Sequence, residues 1–179
     1  MISVLFRFPK LRTLDMTMLG IIMALGLIAD RLTFGTRSIQ IGSGFIVVVV
    51  ASYLYGPIWS ATIAGLTDVI GTLISGQVYN VGFTISAIFG ALIYGWLLYD
   101  KPVRLARVVI AQILIAIFVN LILNTIWISL GSTYQAPTQI LILLFDRLIK
   151  QIIMTPIQIA IIYTILKSSQ FIKIKRKYY

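Results

Sequence analysis

Leu105–Leu130 reads LARVVIAQILIAIFVNLILNTIWISL, a run of 26 residues in which Arg107 is the only ionisable side chain. A helix that crosses a bilayer needs roughly 20 largely apolar residues, and this stretch exceeds that length. Five further stretches approach it: Leu14–Thr33, Gly44–Tyr55, Ile58–Ser75, Gly82–Tyr99 and Thr138–Leu166. The shortest, Gly44–Tyr55, is rich in β-branched residues (Ile46 to Val50) that a soluble protein would place in a strand. In lipid an open strand leaves backbone groups unpaired and a helix does not, so this run too is predicted helical.

Composition agrees with a lipid-embedded chain. Of 179 residues, 59% are hydrophobic and 11% charged, and five acidic residues with no His cannot build the polar shell of a soluble domain. The chain is read as a single transmembrane domain over 1–179, an all-α six-transmembrane-helix bundle. The formal charge of +10 does not indicate nucleic acid, because the basic residues fall between apolar runs and form no stripe on a polar face. Absence of Cys removes disulfides and thiolate metal sites. Met16–Ala29 behind Arg7, Lys10 and Arg12 resembles a signal-peptide core, but no small-x-small cleavage site follows before Asp30, so an uncleaved first span is expected.

Gly- and Pro-bearing breakers separate the runs: TFGTRSIQIGSG, YGPIW, SGQVYNVG, DKPVR and GSTYQAP. Two are tight, which makes the links after the second and fourth runs hairpins on one side of the membrane. Lys101, Arg104, Arg107 and the basic residues of both termini fall on that side, against Arg31 and Arg37 on the other. Basic short loops stay in the cytoplasm, so both termini are predicted cytoplasmic and the loops at Arg37, Tyr79 and Tyr134 external. The basic tail FIKIKRKYY suits anionic lipid heads.

Without a hydrophobic force between helices, small residues mark close packing. Gly82, Ser86 and Gly90 recur every four residues, with Ala87, Ala91 and Gly95 in an adjacent row; ordinary packing within the bundle accounts for them. Gly20 and Ala24 form a shorter pair on the first span, which either packs within the bundle or docks a partner.

Ionisable groups inside spans are costly, about 3 kcal/mol on insertion scales, and face a cavity or a partner. Asp68, Asp146, Arg147 and Lys150 are the four. Arg147 and Lys150 share a helical face, Arg147 roughly 12 Å below the outer end of its span. Two readings stand: an internal ion pair with Asp68 or Asp146, or a site for an anionic ligand. Asn124 and Trp127, one turn apart, reach similar depth, and an amide with an indole suits a flat heterocycle. Trp127 is equally read as an interfacial anchor, as are Phe34, Tyr79, Phe83 and Tyr134. Excess positive charge with amides and aromatic faces complements an aromatic anion; no metal or cofactor site is expected. No phosphate-binding loop of the form GxxxxGK[ST] is present, and without His, Cys, Glu or a GxSxG turn, hydrolytic chemistry is poorly supplied.

Four strings, FIVVVVASYLYGPIWSATIAGLTDVIG, GFTISAIFGALIYG, NLILNTIWIS and RLIKQIIMTPIQ, in that order, resemble the substrate-binding S components of energy-coupling factor (ECF) transporters, and within them the folate-specific FolT group. The resemblance implies a non-catalytic, multi-pass subunit of a prokaryotic plasma membrane. It would bind folate from outside, beneath the first, third and fifth loops, with contacts from Arg37, Gln40 and Tyr79. The pterin would rest among aromatic and amide groups (Phe83, Asn124, Trp127), and Arg147 and Lys150 would meet the glutamate tail. It further implies docking on the membrane subunit EcfT, which carries two ATPases, and toppling of the loaded S component. Family members usually dock through Ala-x-x-x-Ala on helix one; Gly20 and Ala24 match in size, whereas Ile28 does not continue the pattern. Pantothenate, thiamine or riboflavin as cargo, an intramembrane enzyme and an assembly factor are the alternatives.

Overall fold

A computed structural model of the chain describes residues 11–31, 33–36, 39–131 and 137–168, and only the backbone of 33–36, 39–41 and 137. Helix α1 (Thr13–Arg31) opens with half a capping box: the Asp15 carboxylate in its first turn accepts the Arg12 N–H at 2.8 Å. Strands β1 (Thr33–Thr36) and β2 (Ile39–Gly42) follow, paired antiparallel with Phe34 opposite Ile41 and Gly35 opposite Gln40. The sequence reading treats this segment as a loop. The first strand carries one large apolar residue, Phe34, and the second carries two, Ile39 and Ile41, too short a pattern to signal a strand by alternation.

Next comes α2 (Gly44–Ser75), whose helical run is broken at Gly56 (φ 81°, ψ −178°), directly before Pro57. The break is a reversal rather than a bend. Ser52 Oγ donates to Ala91 O at 3.2 Å, and Ser60 Oγ lies 3.5 Å from the same carbonyl. In a straight helix those two serines would be about 12 Å apart. Val47 and Thr67 likewise both border Gly26, although a straight helix would separate them by about 30 Å. The two limbs of α2 therefore lie side by side, matching the expected division into Gly44–Tyr55 and Ile58–Ser75. Only glycine holds the left-handed φ at the turn without penalty.

Helix α3 (Val81–Leu98) starts at Asn80, whose side chain accepts the Gly82 N–H at 2.9 Å. Helix α4 (Leu105–Gly131) contains a π-helical segment at Ile115–Leu123, closed by Asn124 N–H on Val119 O. Helix α5 (Pro137–Lys167) completes the described chain. Among the described residues, α1 to α4 are long and apolar enough to cross a membrane. The equally long α5 carries Asp146, Arg147 and Lys150 in its interior. Large apolar side chains face outward all round, including Leu25, Phe89, Phe118 and Ile152, as lipid contact requires.

One end of the bundle gathers Arg31, Gly44, Ser75, Asn80 and Gly131. Arg31 reaches Gly71 O, Ser43 Oγ donates to Ala29 O, and Gly131 borders the Asn80 amide. At the opposite end the α2 reversal packs into the main core of Tyr53, Leu54, Tyr55, Leu98, Val108 and Leu166. There α3 meets Pro57 so closely that Gly95 has no room for a Cβ. Midway, Tyr94 OH donates to Gln112 Oε1 at 2.5 Å and Gln112 Nε2 donates to Gln158 Oε1, joining α3, α4 and α5.

Candidate functional site

Helix α3 organises the half of the molecule nearest Arg31 and Asn80. At 100° per residue its exposed side is marked by Val81, Phe89 and Trp96. Phe83, Ala87 and Gly90 fall together on the opposite, inward side. Gly90 is buried, yet apart from the adjacent backbone of α3 itself no described atom lies within 4 Å of where its Cβ would be. A hollow therefore fronts this face.

Trp127 borders one edge of that face. Its ring leaves no room for a Cβ on Gly82, and its Nε1 donates to Ser86 Oγ at 3.2 Å. The expected packing role of Gly82 and Ser86 is thus observed, and the indole is held by the bundle as well as placed near its end. Asn124, a turn deeper, has a buried Oδ1 with no hydrogen-bond partner among the described residues, as does the neighbouring Thr125 Oγ1. Buried acceptors are rarely left so, since the desolvation of each costs about 1–3 kcal/mol.

The two cations come from α5. Arg147 is half-buried, about 15 Å along the helix from Pro137, and its guanidinium donates to Asn120 O at 2.9 Å, inside the π-helical segment of α4. Asn120 Nδ2 in turn donates to Gln151 Oε1 at 3.3 Å. Lys150 is half-buried one turn below Arg147 and makes no hydrogen bond among the described residues. The internal ion pair left open by the sequence is not found: among the described residues no carboxylate stands at ion-pair distance from either cation. Asp146 points outward and is exposed, while Asp68 is engaged across α3.

Along the other edge, Thr84 Oγ1 donates to Asp68 Oδ2 at 2.6 Å and lies 2.9 Å from Tyr79 OH. Because the single Thr84 proton goes to the carboxylate, the Tyr79 hydroxyl is the donor in the second bond. Two adjoining cavities open here. The inner one, about 240 Å³, is bounded by Phe45, Val48, Ser60, Asp68 and Ala87 among others. The outer one, about 360 Å³, is bounded by Arg31, Asp68, Gly71, Ser75 and Gln77 among others.

Of the residues expected from sequence, Trp127 lies against Gly82 and Ser86, beside Phe83 in α3, Asn124 lies one turn away from it on α4, and Arg147, with Lys150 a turn further, bonds to Asn120 of α4. Neither cavity is lined by any of these five, and Tyr79 is tied to Thr84. Gln40 lies in β2 with only its backbone described, and Arg37 and Tyr134 lie outside the described residues. Gly20 and Ala24 are on the exposed side of α1, with nothing within 4 Å of a Cβ at Gly20. In the sequence Asp68 stands out only as an ion-pair partner; what marks it for the cavity is its place with Ala64 and Thr67 on one helical face, both cavity-lining.

The sequence profile of the family described as "ECF transporter, substrate-specific component" matches residues 14–166. The chain belongs to that family. It is therefore the substrate-specific component of a transporter, a multi-pass protein of the plasma membrane. It is 38% identical over 165 residues to a folate transporter FolT of Leuconostoc mesenteroides subsp. mesenteroides, covering 90% of this chain and 89% of the relative. A folate transporter FolT of Clostridium novyi is 37% identical over 147 residues, or 82% and 83% of the two chains. The crystal structure of FolT bound with folic acid superposes with a TM-score of 0.78 at 29% identity, covering 86% of this chain and 93% of that one. The ECF S component shares the fold of that structure; its described residues form a bundle of apolar helices with one short two-stranded hairpin.

Proposed function

We propose that this S component binds folate from the external side through the inward region of α3, α4 and α5. The observation that carries the reading is Arg147: a half-buried guanidinium about 15 Å along α5 from Pro137, bonded to a backbone carbonyl and without a carboxylate partner among the described residues. Lys150 beside it raises the local positive charge. An uncompensated pair of cations at this depth is expensive, and an entering organic anion offsets the cost. Trp127, Phe83 and the orphaned Asn124 carbonyl suit the flat aromatic part of such an anion, and Arg37, Gln40 and Tyr79 contribute from the loops. Folate, with an aromatic head and a dicarboxylate tail, matches both halves, and the FolT name of two relatives supports it.

Counting the two limbs of α2 separately gives six crossings, so both termini lie on one side, and the Lys and Arg excess in the short loops of that side makes it the cytoplasm; residues 1–179 form one transmembrane domain. The chain carries no catalytic chemistry of its own. It docks on an EcfT-type subunit with two ATPases, and topples to release folate inward. The open, exposed surface at Gly20 and Ala24 is the docking face. A binding screen with purified protein against folate, pantothenate, thiamine and riboflavin tests the assignment. One equivalent of folate, with quenched Trp fluorescence, is expected; saturable binding of another vitamin in its place refutes it.

A further inference from the structure

We infer that Asp68 reads the pterin edge of the cargo: its carboxylate accepts the ring N3–H and the 2-amino group, two donors that lie side by side on folate. This rests on folate being the cargo.

Asp68 stands where the inner and outer cavities meet, since both are bounded by Asp30, Thr67 and Asp68. Its Oδ2 is fixed by Thr84 at 2.6 Å, and Thr84 by Tyr79, so the carboxylate plane is oriented before any ligand arrives. Among the described residues its Oδ1 accepts no hydrogen bond and no cation stands at ion-pair distance. An ionised carboxylate offers about four acceptor positions, and one is used here. The group that satisfies the rest is a planar fork of two N–H donors, the pattern by which a guanidinium grips a carboxylate. The 2-amino-4-oxo face of a pterin presents that same fork without a formal charge.

The surroundings fit a flat bicycle. Phe45, Val47, Val48, Ile63, Ala64 and Ala87 make the inner walls apolar, while Thr67 and Ser60 add hydroxyls. Ala87 belongs to the inward side of α3 that also carries Phe83 and Gly90. Asp68 lies at one edge of this side and Trp127 at the other, so a pterin whose donor edge is held by Asp68 lies over the Phe83 face toward Trp127, with its acid tail directed to Arg147 and Lys150. A ligand thus finds a carboxylate for its donor end and cations for its acid end, and a reversed pose sets the glutamate carboxylates against Asp68 and the pterin N–H donors against two cations that cannot accept them.

Titration calorimetry on the detergent-purified full chain tests this with folic acid, a folic acid analogue in which methyl replaces the 2-amino group, and pteroic acid, which lacks the glutamate. Wild type is expected to bind folic acid on the order of 10- to 100-fold more tightly than the 2-methyl analogue, the range for a hydrogen bond to a charged group. Asp68→Asn turns an amide toward the donors and is expected to abolish that preference, while the folic-to-pteroic ratio stays as in wild type. A role for Asp68 in folding alone would lower all affinities together and leave the preference intact. Equal wild-type affinity for folic acid and the 2-methyl analogue overturns the inference without recourse to any variant, as does an unchanged preference in Asp68→Asn; in both cases folate remains the cargo. Wild type that binds no folic acid overturns the cargo assignment and this inference together.

Discussion

Three glycines of α3 have different environments and give different expectations. Gly95 sits against the Pro57 backbone and Gly82 against the Trp127 ring, while Gly90 faces open space. Gly95→Ala is expected to destabilise the protein by about 1–3 kcal/mol through overpacking against main chain that cannot yield, read as a lower melting temperature in detergent. Gly90→Leu is expected to leave that temperature near wild type but to fill the hollow beside Phe83, so that folate binding is lost. The sequence showed these glycines only as a repeating small-residue pattern; which ones contact a neighbour depends on how α3 is rotated, and a period of four does not encode that. Arg147 and Lys150 were legible because charge inside an apolar run is conspicuous in any sequence. That Asp68 pairs with neither was not, since the separation across α3 is a tertiary fact.

At the scale of elements, the helices are nearly all where hydropathy puts them: α3 differs from the expected run by one residue at each end and α4 by one at its C-terminal end. Length and apolarity in lipid leave the backbone little choice, so these boundaries follow directly from composition. Two features did not. The π-helical segment Ile115–Leu123 contains no Gly or Pro to announce it, and its one polar residue, Asn120, is the one whose carbonyl takes the Arg147 guanidinium. The β1–β2 hairpin is too short to declare itself. The reversal of α2 was legible from Gly56-Pro57, and it supplies a prediction at this scale. Gly56→Ala forces a Cβ into a left-handed φ beside the Tyr99 ring and is expected to cost about 1–2 kcal/mol, measured as a drop in thermal stability with no change in the folate-binding residues. On α1, by contrast, Ala24→Trp adds bulk to an exposed surface. It is expected to abolish folate uptake by the assembled transporter while isolated protein binds folate normally; uptake at wild-type rate would show that docking uses another face.

For the whole molecule, the fold joins a lipid-facing exterior to an interior that is acidic on the α1–α2 side and basic on the α4–α5 side. The chain contains no Cys, so its sidedness can be read from single introduced cysteines without background. Gln77→Cys is expected to react with a membrane-impermeant maleimide in intact cells and Arg104→Cys only after permeabilisation; the reverse pattern would invert the topology. Folate capture by this fold depends on Arg147 and Lys150 neutralising an acid that enters from outside. The most direct measurement is the affinity of purified wild type and of the Arg147→Ala/Lys150→Ala double variant for folic and pteroic acids, taken side by side. Wild type should lose affinity on the order of 10- to 100-fold when the glutamate is absent, and the double variant should bind both acids with the same weakened affinity. A double variant that stays folded and still binds folic acid as tightly as wild type would contradict it.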